Sequence, residues 1–236
     1  MKRTYVALVV FTVAVSAHGA RADRISLEDP PPADHKACDA GNGKVCLDLG
    51  VRYVNGTGVA KDEARALAYY LKACTLKVGL ACQYAGTMTL SGTGTPKDDG
   101  KGRALFEKGC DLKAGGACND LGTAWAEAIH GAPSKDLAKA KAYYEKACTL
   151  DDGLGCFNTG NVYRLGEGAK VDHKKAVANF QRSCDLKAAK GCTELAIIYY
   201  EGKIVPKDVA KAVALLEAGC KLGSDVACKN LKLLRP

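Results

Sequence analysis

The chain has 236 residues, 47% of them apolar, and 34 Lys and Arg against 26 Asp and Glu give a formal net charge of +8. The length suits one or two ordinary domains. The basic excess is mild and forms no Lys/Arg block with interleaved aromatics, so nucleic-acid binding is not expected.

The first stretch, "MKRTYVALVVFTVAVSAHGARA", begins with Lys2 and Arg3 and continues with an apolar run of 13 residues, Tyr5 to Ala17. Such a run is too short to span a bilayer, which takes about 20 residues. Ala20 and Ala22 fit the small-residue rule of a secretory cleavage site, so residues 1–22 read as a signal peptide. Export to the periplasm or the exterior, with no stable membrane anchor after cleavage, is the expectation. Removing Lys2, Arg3 and Arg21 leaves 31 basic against 26 acidic residues. Residues 23–36, with "DPPPAD", read as a flexible leader.

From residue 37 to 236 the chain is periodic. Its twelve cysteines fall into six C-x7-C pairs, and successive pairs repeat every 36 residues, once every 38. Such a period marks stacked helical hairpins. After the second cysteine of each pair comes a helix-length segment, helix A. Taking that cysteine as position 0, position +4 holds Gly50, Gly86, Gly122, Gly160 or Ala196. A loop follows, then Asp62, Asp98, Asp136, Asp172 or Asp208, each twelve residues before the next cysteine. Aspartate there predicts the N-cap of a second helix, helix B, because its carboxylate accepts an orphan backbone N–H. Helix B carries alanine six residues before its cysteine (Ala68, Ala104, Ala142, Ala178, Ala214). Four before it stands a large residue: Tyr70, Phe106, Tyr144, Phe180 or Leu216. Tiny and aromatic residues together predict a buried stripe on which two helix backbones approach closely. The expected fold is all-α, a right-handed solenoid of five antiparallel hairpins. A sixth helix A, about Ser224 to Leu234, closes it as a cap, with Lys232 in the glycine position and Arg235 where Tyr53, Trp125, Tyr163 or Tyr199 stand in earlier units.

These units resemble Sel-like repeats, relatives of the tetratricopeptide repeat. The features that carry the likeness are the "LG…Y" of helix A, the "G-x-G" loop, the "KD" cap and "A-x-x-YY-x-KAC" of helix B. With C-x7-C at each junction, the chain is similar to the Helicobacter cysteine-rich proteins and to the cytochrome c oxidase assembly factor of the mitochondrial intermembrane space. Thr89 in place of the aromatic, and the altered loop of the third unit, depart from the pattern.

The C-x7-C spacing fits zinc poorly, since zinc pairs lie two to four residues apart. No C-x-x-C redox motif exists. In the hairpin scheme the first cysteine ends helix B, the second begins the next helix A, and a short turn brings their Cβ atoms to bridging distance. Six disulfides are expected: Cys38–Cys46, Cys74–Cys82, Cys110–Cys118, Cys148–Cys156, Cys184–Cys192 and Cys220–Cys228. No metal and no cofactor are expected.

The resemblance also brings in β-lactamase and penicillin-binding activities. A serine β-lactamase needs S-x-x-K, and none of Ser26, Ser91, Ser134, Ser183 or Ser224 has lysine three residues on. The expectation is a non-catalytic scaffold, a monomer, that binds a protein or peptide. Penicillin binding or weak β-lactamase action is the alternative, and an assembly factor or thiol chaperone a second one. Trp125 precedes and His130 lies within the enlarged third loop, "AEAIHGAPSKD", which reads as a variable surface loop with a packed aromatic before it.

Helix geometry predicts the binding face. Positions 0, +3, +4 and +7 of helix A form the packed side, and +2, +6 and +9 the opposite arc, expected to line a concave groove. The candidates are Asp48, Tyr84, Asp120, Asn158, Glu194 and Asn230 at +2. At +6 they are Met88, Val162 and Ile198, and at +9 Glu127 and Glu201. The arc as a whole carries five acids and one arginine, Arg52, which suits a cationic polypeptide segment.

Overall fold

A computed structural model describes residues 32–234. The expected signal peptide, the first part of the expected leader and Arg235 lie outside the described residues. Within them the chain forms twelve helices and no strand. These are α1 (Pro32–Asp39), α2 (Gly43–Asn55), α3 (Glu63–Thr75), α4 (Gly79–Ser91), α5 (Asp99–Asp111) and α6 (Gly115–Glu127), followed by α7 (Leu137–Thr149), α8 (Gly153–Leu165), α9 (His173–Asp185), α10 (Ala189–Glu201), α11 (Val209–Lys221) and α12 (Asp225–Leu234). None is long and apolar enough to cross a membrane.

The A helices are α2, α4, α6, α8, α10 and α12, and the B helices are α3, α5, α7, α9 and α11. Each A helix packs on the B helix that follows it, then that B helix on the next A helix, so the hairpins stack into a right-handed α-solenoid. From α4 to α12 successive A helices also touch one another. The expected start of the repeat region at residue 37 falls inside α1. This short helix stands where a helix B would stand and packs on α2.

Each hairpin is closed in the same way. Asp62, Asp98, Asp136, Asp172 and Asp208 are all N-caps, and each carboxylate accepts from the backbone N–H three residues on, at 2.8–2.9 Å. Each capping residue's own N–H donates to the carbonyl at +7 of helix A: Tyr53, Thr89, Trp125, Tyr163 and Tyr199. The third loop keeps this closure, and its two extra residues are taken up between Ala128 and Lys135, where Ala132 is buried.

The junctions between units are stapled. All six expected disulfides are present, with Cα–Cα distances of 4.4–4.9 Å, and no cysteine is free. The turn inside each pair puts its third residue in the left-handed region: Gly41, Lys77, Lys113, Asp151, Lys187 and Gly223. In the Cys74 turn the Lys77 N–H donates to the Cys74 carbonyl and the Val78 N–H reaches back to Ala73, which satisfies the carbonyls left over where helix B ends.

Between α2 and α3 the glycine at +4 has a direct cause. A Cβ on Gly50 would lie 2.5 Å from the Tyr70 ring; the equivalent approach is 2.7 Å for Gly86 and Phe106, 2.5 Å for Gly122 and Tyr144, and 2.6 Å for Gly160 and Phe180. Where the ring is replaced by Leu216, position +4 carries Ala196. The expected alanine stripe needs correction. Ala68, Ala104, Ala142, Ala178 and Ala214 are all exposed. The tiny residues that meet helix A lie eight before the cysteine (Ala66, Gly102, Ala140, Ala176, Ala212) and one before it (Ala73, Gly109, Ala147, Ser183, Gly219). Residues two apart on a helix do not share a face, whereas steps of four and three do.

Candidate functional site

The A helices present their free faces side by side, and four of the clefts between them, at α2/α4, α4/α6, α6/α8 and α10/α12, share a pattern. The first, about 400 Å³, takes Val51, Val54 and Asn55 from α2 and Gln83, Tyr84, Thr87 and Met88 from α4, over a floor of Tyr70. The second, about 310 Å³, takes Thr87, Leu90 and Ser91 from α4 and Asp120 and Thr123 from α6, over Phe106, with His130 of the enlarged loop at its edge. The third is the largest, about 520 Å³. It lies between α6 and α8 over Tyr144, and adds Lys135 and Glu167 from loops and Glu194 from α10. The fourth, about 250 Å³, lies between α10 and α12 over Leu216. One rule describes all four. Each is walled by positions near +5 and +8 of one A helix and +2 and +5 of the next. Its floor is the large helix-B residue opposite position +4, a ring over glycine in the first three and Leu216 beside Ala196 in the fourth.

The floors are uncharged at neutral pH. Burial, with the neighbouring Tyr84, pushes the Tyr70 hydroxyl up to about 12. Burial also raises Tyr144, whose hydroxyl donates to Thr123 Oγ1 at 3.3 Å. Asp120 sits in the second cleft. Burial raises its carboxyl above the ordinary range, while hydrogen bonds from Gln83 and Asn119 pull the other way. The Gln83 amide donates to Asp120 Oδ2 at 3.0 Å, and the Asn158 amide donates to Asn119 Oδ1 at 2.8 Å. These two bonds join position +1 of one A helix to +2 of the next, so they form a polar ladder along the groove floor.

The expected binding residues divide into three sets. Tyr84, Met88, Asp120, Glu127, Asn158, Val162, Glu194 and Asn230 line the clefts. Asp48 and Glu201 are exposed but stand outside these four clefts, and Glu201 pairs with Lys203 at 3.3 Å. Ile198 is 5% exposed and belongs to the core around Phe180 and Leu195. Position +6 as a whole is not free. Met88, Ala124, Val162 and Ile198 are 0–8% exposed, and only the first and third reach a cleft wall. An A helix meets two B helices and two other A helices, so its buried arc is wider than one hairpin implies. The free arc centres on +2, +5 and +9 instead.

The arc read from the sequence omits Val51, Thr87, Thr123, Asn161 and Ile197 at +5, and Val54, Leu90, Ala126, Arg164 and Tyr200 at +8. It also omits the loop residues Lys135 and Glu167. The groove is therefore less uniformly acidic than the arc suggested. Arg164 bonds Asn161 Oδ1 at 3.0 Å, and its Nε is buried without a partner. Arg52, at +6 of α2, is ion-paired with Asp34 at 3.0 Å. The enlarged loop is tied down: Arg103 donates to the Gly131 carbonyl and lies over the Trp125 ring, with Lys139 above that ring at 4.1 Å.

The profile of the Sel1 repeat matches the chain five times, over residues 44–78, 79–113, 116–152, 153–187 and 189–224. No curated protein matches the chain in sequence. Among solved structures, the chain is similar to a Sel1 repeat protein from Oxalobacter formigenes, with a TM-score of 0.76 and 25% identity over 86% of this chain and 89% of that one. It is also similar to c5321, a protective antigen of uropathogenic Escherichia coli with an SLR fold, at a TM-score of 0.72 and 25% identity over 85% of this chain. The chain spans 43% of that protein's length. Helicobacter pylori cysteine rich protein B is 33% identical over 57% of this chain and 96% of its own, with a TM-score of 0.47.

Proposed function

This chain belongs to the Sel1 repeat family, whose members are generally protein-interaction scaffolds, and on that footing we propose that it is an exported, non-catalytic scaffold holding a polypeptide segment in the clefts between its A helices. The observation that carries this reading is the repetition of the clefts. Four sites built to one rule along one face suit a long chain better than a single small molecule. Two features support export: a signal-like N-terminal stretch and twelve cysteines that all close local disulfides, which persist in oxidising compartments. The bound segment is cationic. Asp120, Glu127, Glu167 and Glu194 outnumber Lys135 and Arg164 in the second and third clefts.

Photo-crosslinking tests the site. A crosslinking amino acid placed at Thr123 in the groove is expected to trap a partner from the exported fraction, and Glu127→Lys with Glu194→Lys is expected to cut that capture at least tenfold. The same probe at exposed Ala178 on α9 serves as control. Equal capture at both places, or capture at Ala178 alone, contradicts a groove. Asp120 is a poorer choice for charge reversal than the two glutamates, because lysine there would break the bond from Gln83.

A further inference from the structure

The repeat of the clefts constrains the shape of what fills them. We propose that the occupant is an extended segment read at one side chain in three, with an apolar residue in the cleft between α2 and α4 and basic residues in the next two clefts. This rests on the groove reading and goes beyond it by naming the ligand's conformation and pattern.

Spacing is the first support. Packed helices stand about 8–10 Å apart, and the A helices bordering the second, third and fourth clefts touch one another. A polyproline II chain advances roughly 3.1 Å per residue with three residues per turn, so residues three apart share a face, whereas a β-strand turns them to opposite faces. Three residues therefore cover one step of the solenoid, and every third side chain meets an equivalent cleft.

The groove floor is the second support. Thr87, Thr123, Asn158 and Asn161 line the clefts, and Gln83 and Asn119 lie along the ladder that joins them. Each side-chain amide can make up to about four hydrogen bonds; the ladder uses one from each of Gln83 and Asn158, and Asn119 uses two, to Asn158 and Asp120. The remaining capacity suits a backbone whose N–H and C=O groups are free, as in an extended chain. A helix has already satisfied its own.

The third support is the change of chemistry along the groove. No charged side chain lines the first cleft, where Val51, Val54, Tyr84 and Met88 surround the Tyr70 ring. Asp120 is the one carboxylate in the wall of the second cleft, and its bonding partners are neutral amides. Glu127, Glu167 and Glu194 in the third have no ion-pair partner among the described residues.

Fluorescence anisotropy with the oxidised full-length protein tests the proposal. The probes are fluorescein-labelled peptides of one composition. Two carry Tyr, Lys and Lys three residues apart, separated by Pro and Ser, in the two chain directions. A third has the same residues at two-residue spacing, and a fourth is a helical peptide with the three side chains seven residues apart. One of the two three-residue peptides is expected to bind at least tenfold more tightly than both alternatives. Glu127→Lys with Glu194→Lys is expected to remove that binding while the circular dichroism stays helical. Similar affinities for all spacings, or preference for the helical peptide, overturn the proposal and leave the groove reading standing if the groove charge reversal still matters. Absence of binding to every peptide overturns it as well, and crosslinking at Thr123 then decides whether the groove reading falls with it.

Discussion

At position +4 of helix A a side chain is missing because a ring occupies its place. Gly122→Ala puts a methyl group about where the Tyr144 ring lies, at 2.5 Å. Overpacking of this kind costs about 1–3 kcal/mol, more than the roughly 1 kcal/mol that alanine gains over glycine in a helix. The variant is therefore expected to unfold at lower urea. The fifth unit carries its own compensation, Ala196 with Leu216. Tyr144→Leu in the Gly122→Ala background is expected to recover part of the loss, with a coupling above about 0.5 kcal/mol in a double-mutant cycle. Additivity of the two changes would contradict a direct ring-for-methyl exchange. The disulfide turns make the opposite demand. Lys113 is left-handed at φ 65°, where Gly41 and Gly223 stand in the outermost turns. Lys113→Gly is expected to raise stability by a few tenths to about 1 kcal/mol, since only glycine adopts that conformation without strain. Asp120 adds a pH signature. Its carboxyl is raised in the folded state, so ionising it opposes folding as pH rises from the unfolded value through the folded one. Asp120→Asn keeps an oxygen to accept from Gln83. Its stability relative to wild type is expected to improve across that acid range and to hold at neutral pH, measured by thermal melts from pH 3 to 7.

At the scale of the element, much is legible in the sequence. The aspartate twelve residues before each cysteine marks the start of helix B, and each such aspartate caps it. Asp172→Ala is expected to cost about 1 kcal/mol through loss of its bond to the Lys175 N–H, read as a lower urea midpoint; an unchanged midpoint would deny the cap its energetic role. The cysteine pairing was legible too, because a C-x7-C loop between two helix-length segments leaves few geometries. Helix faces were read less well. Ala68 and its counterparts recur in every unit yet face solvent, since recurrence in a repeat reports helix propensity as well as burial. On helix A, the positions that touch the helix's own hairpin were identified, and Tyr53, Leu121 and Leu195 are buried there. The groove edge was misjudged by one position, +6 for +5. Met88, Val162 and Ile198 are buried against side chains of neighbouring helices, among them Tyr70, Tyr144 and Phe180, and no pattern within one helix encodes those contacts. Lys135, His130 and Glu167 reach the clefts from loops whose path depends on how hairpins stack.

The whole molecule is a line of units, each touching only its neighbours, and its stability is a sum of local terms. Each nine-residue disulfide loop contributes about 2–3 kcal/mol in the chain-entropy model. Replacing Cys110 and Cys118 by serine removes a staple between α5 and α6, in the middle of the line. The same change at Cys220 and Cys228 frees α12 alone, where both cysteines are already partly exposed. Hydrogen exchange is expected to show loosening on both sides of the central junction in the first variant and confined to α11 and α12 in the second. The central claim is that the line of A-helix clefts, and not the outer B-helix surface, holds the partner. Titration calorimetry with the crosslinked partner, once purified, tests this most directly against wild type, Glu127→Lys with Glu194→Lys, and Ala142→Lys with Ala178→Lys on the exposed B faces. The account predicts at least a tenfold loss of affinity, about 1.4 kcal/mol, for the groove pair alone, with wild-type affinity falling as salt rises. Unchanged affinity in a folded groove variant, or an equal loss in the B-face variant, would contradict it.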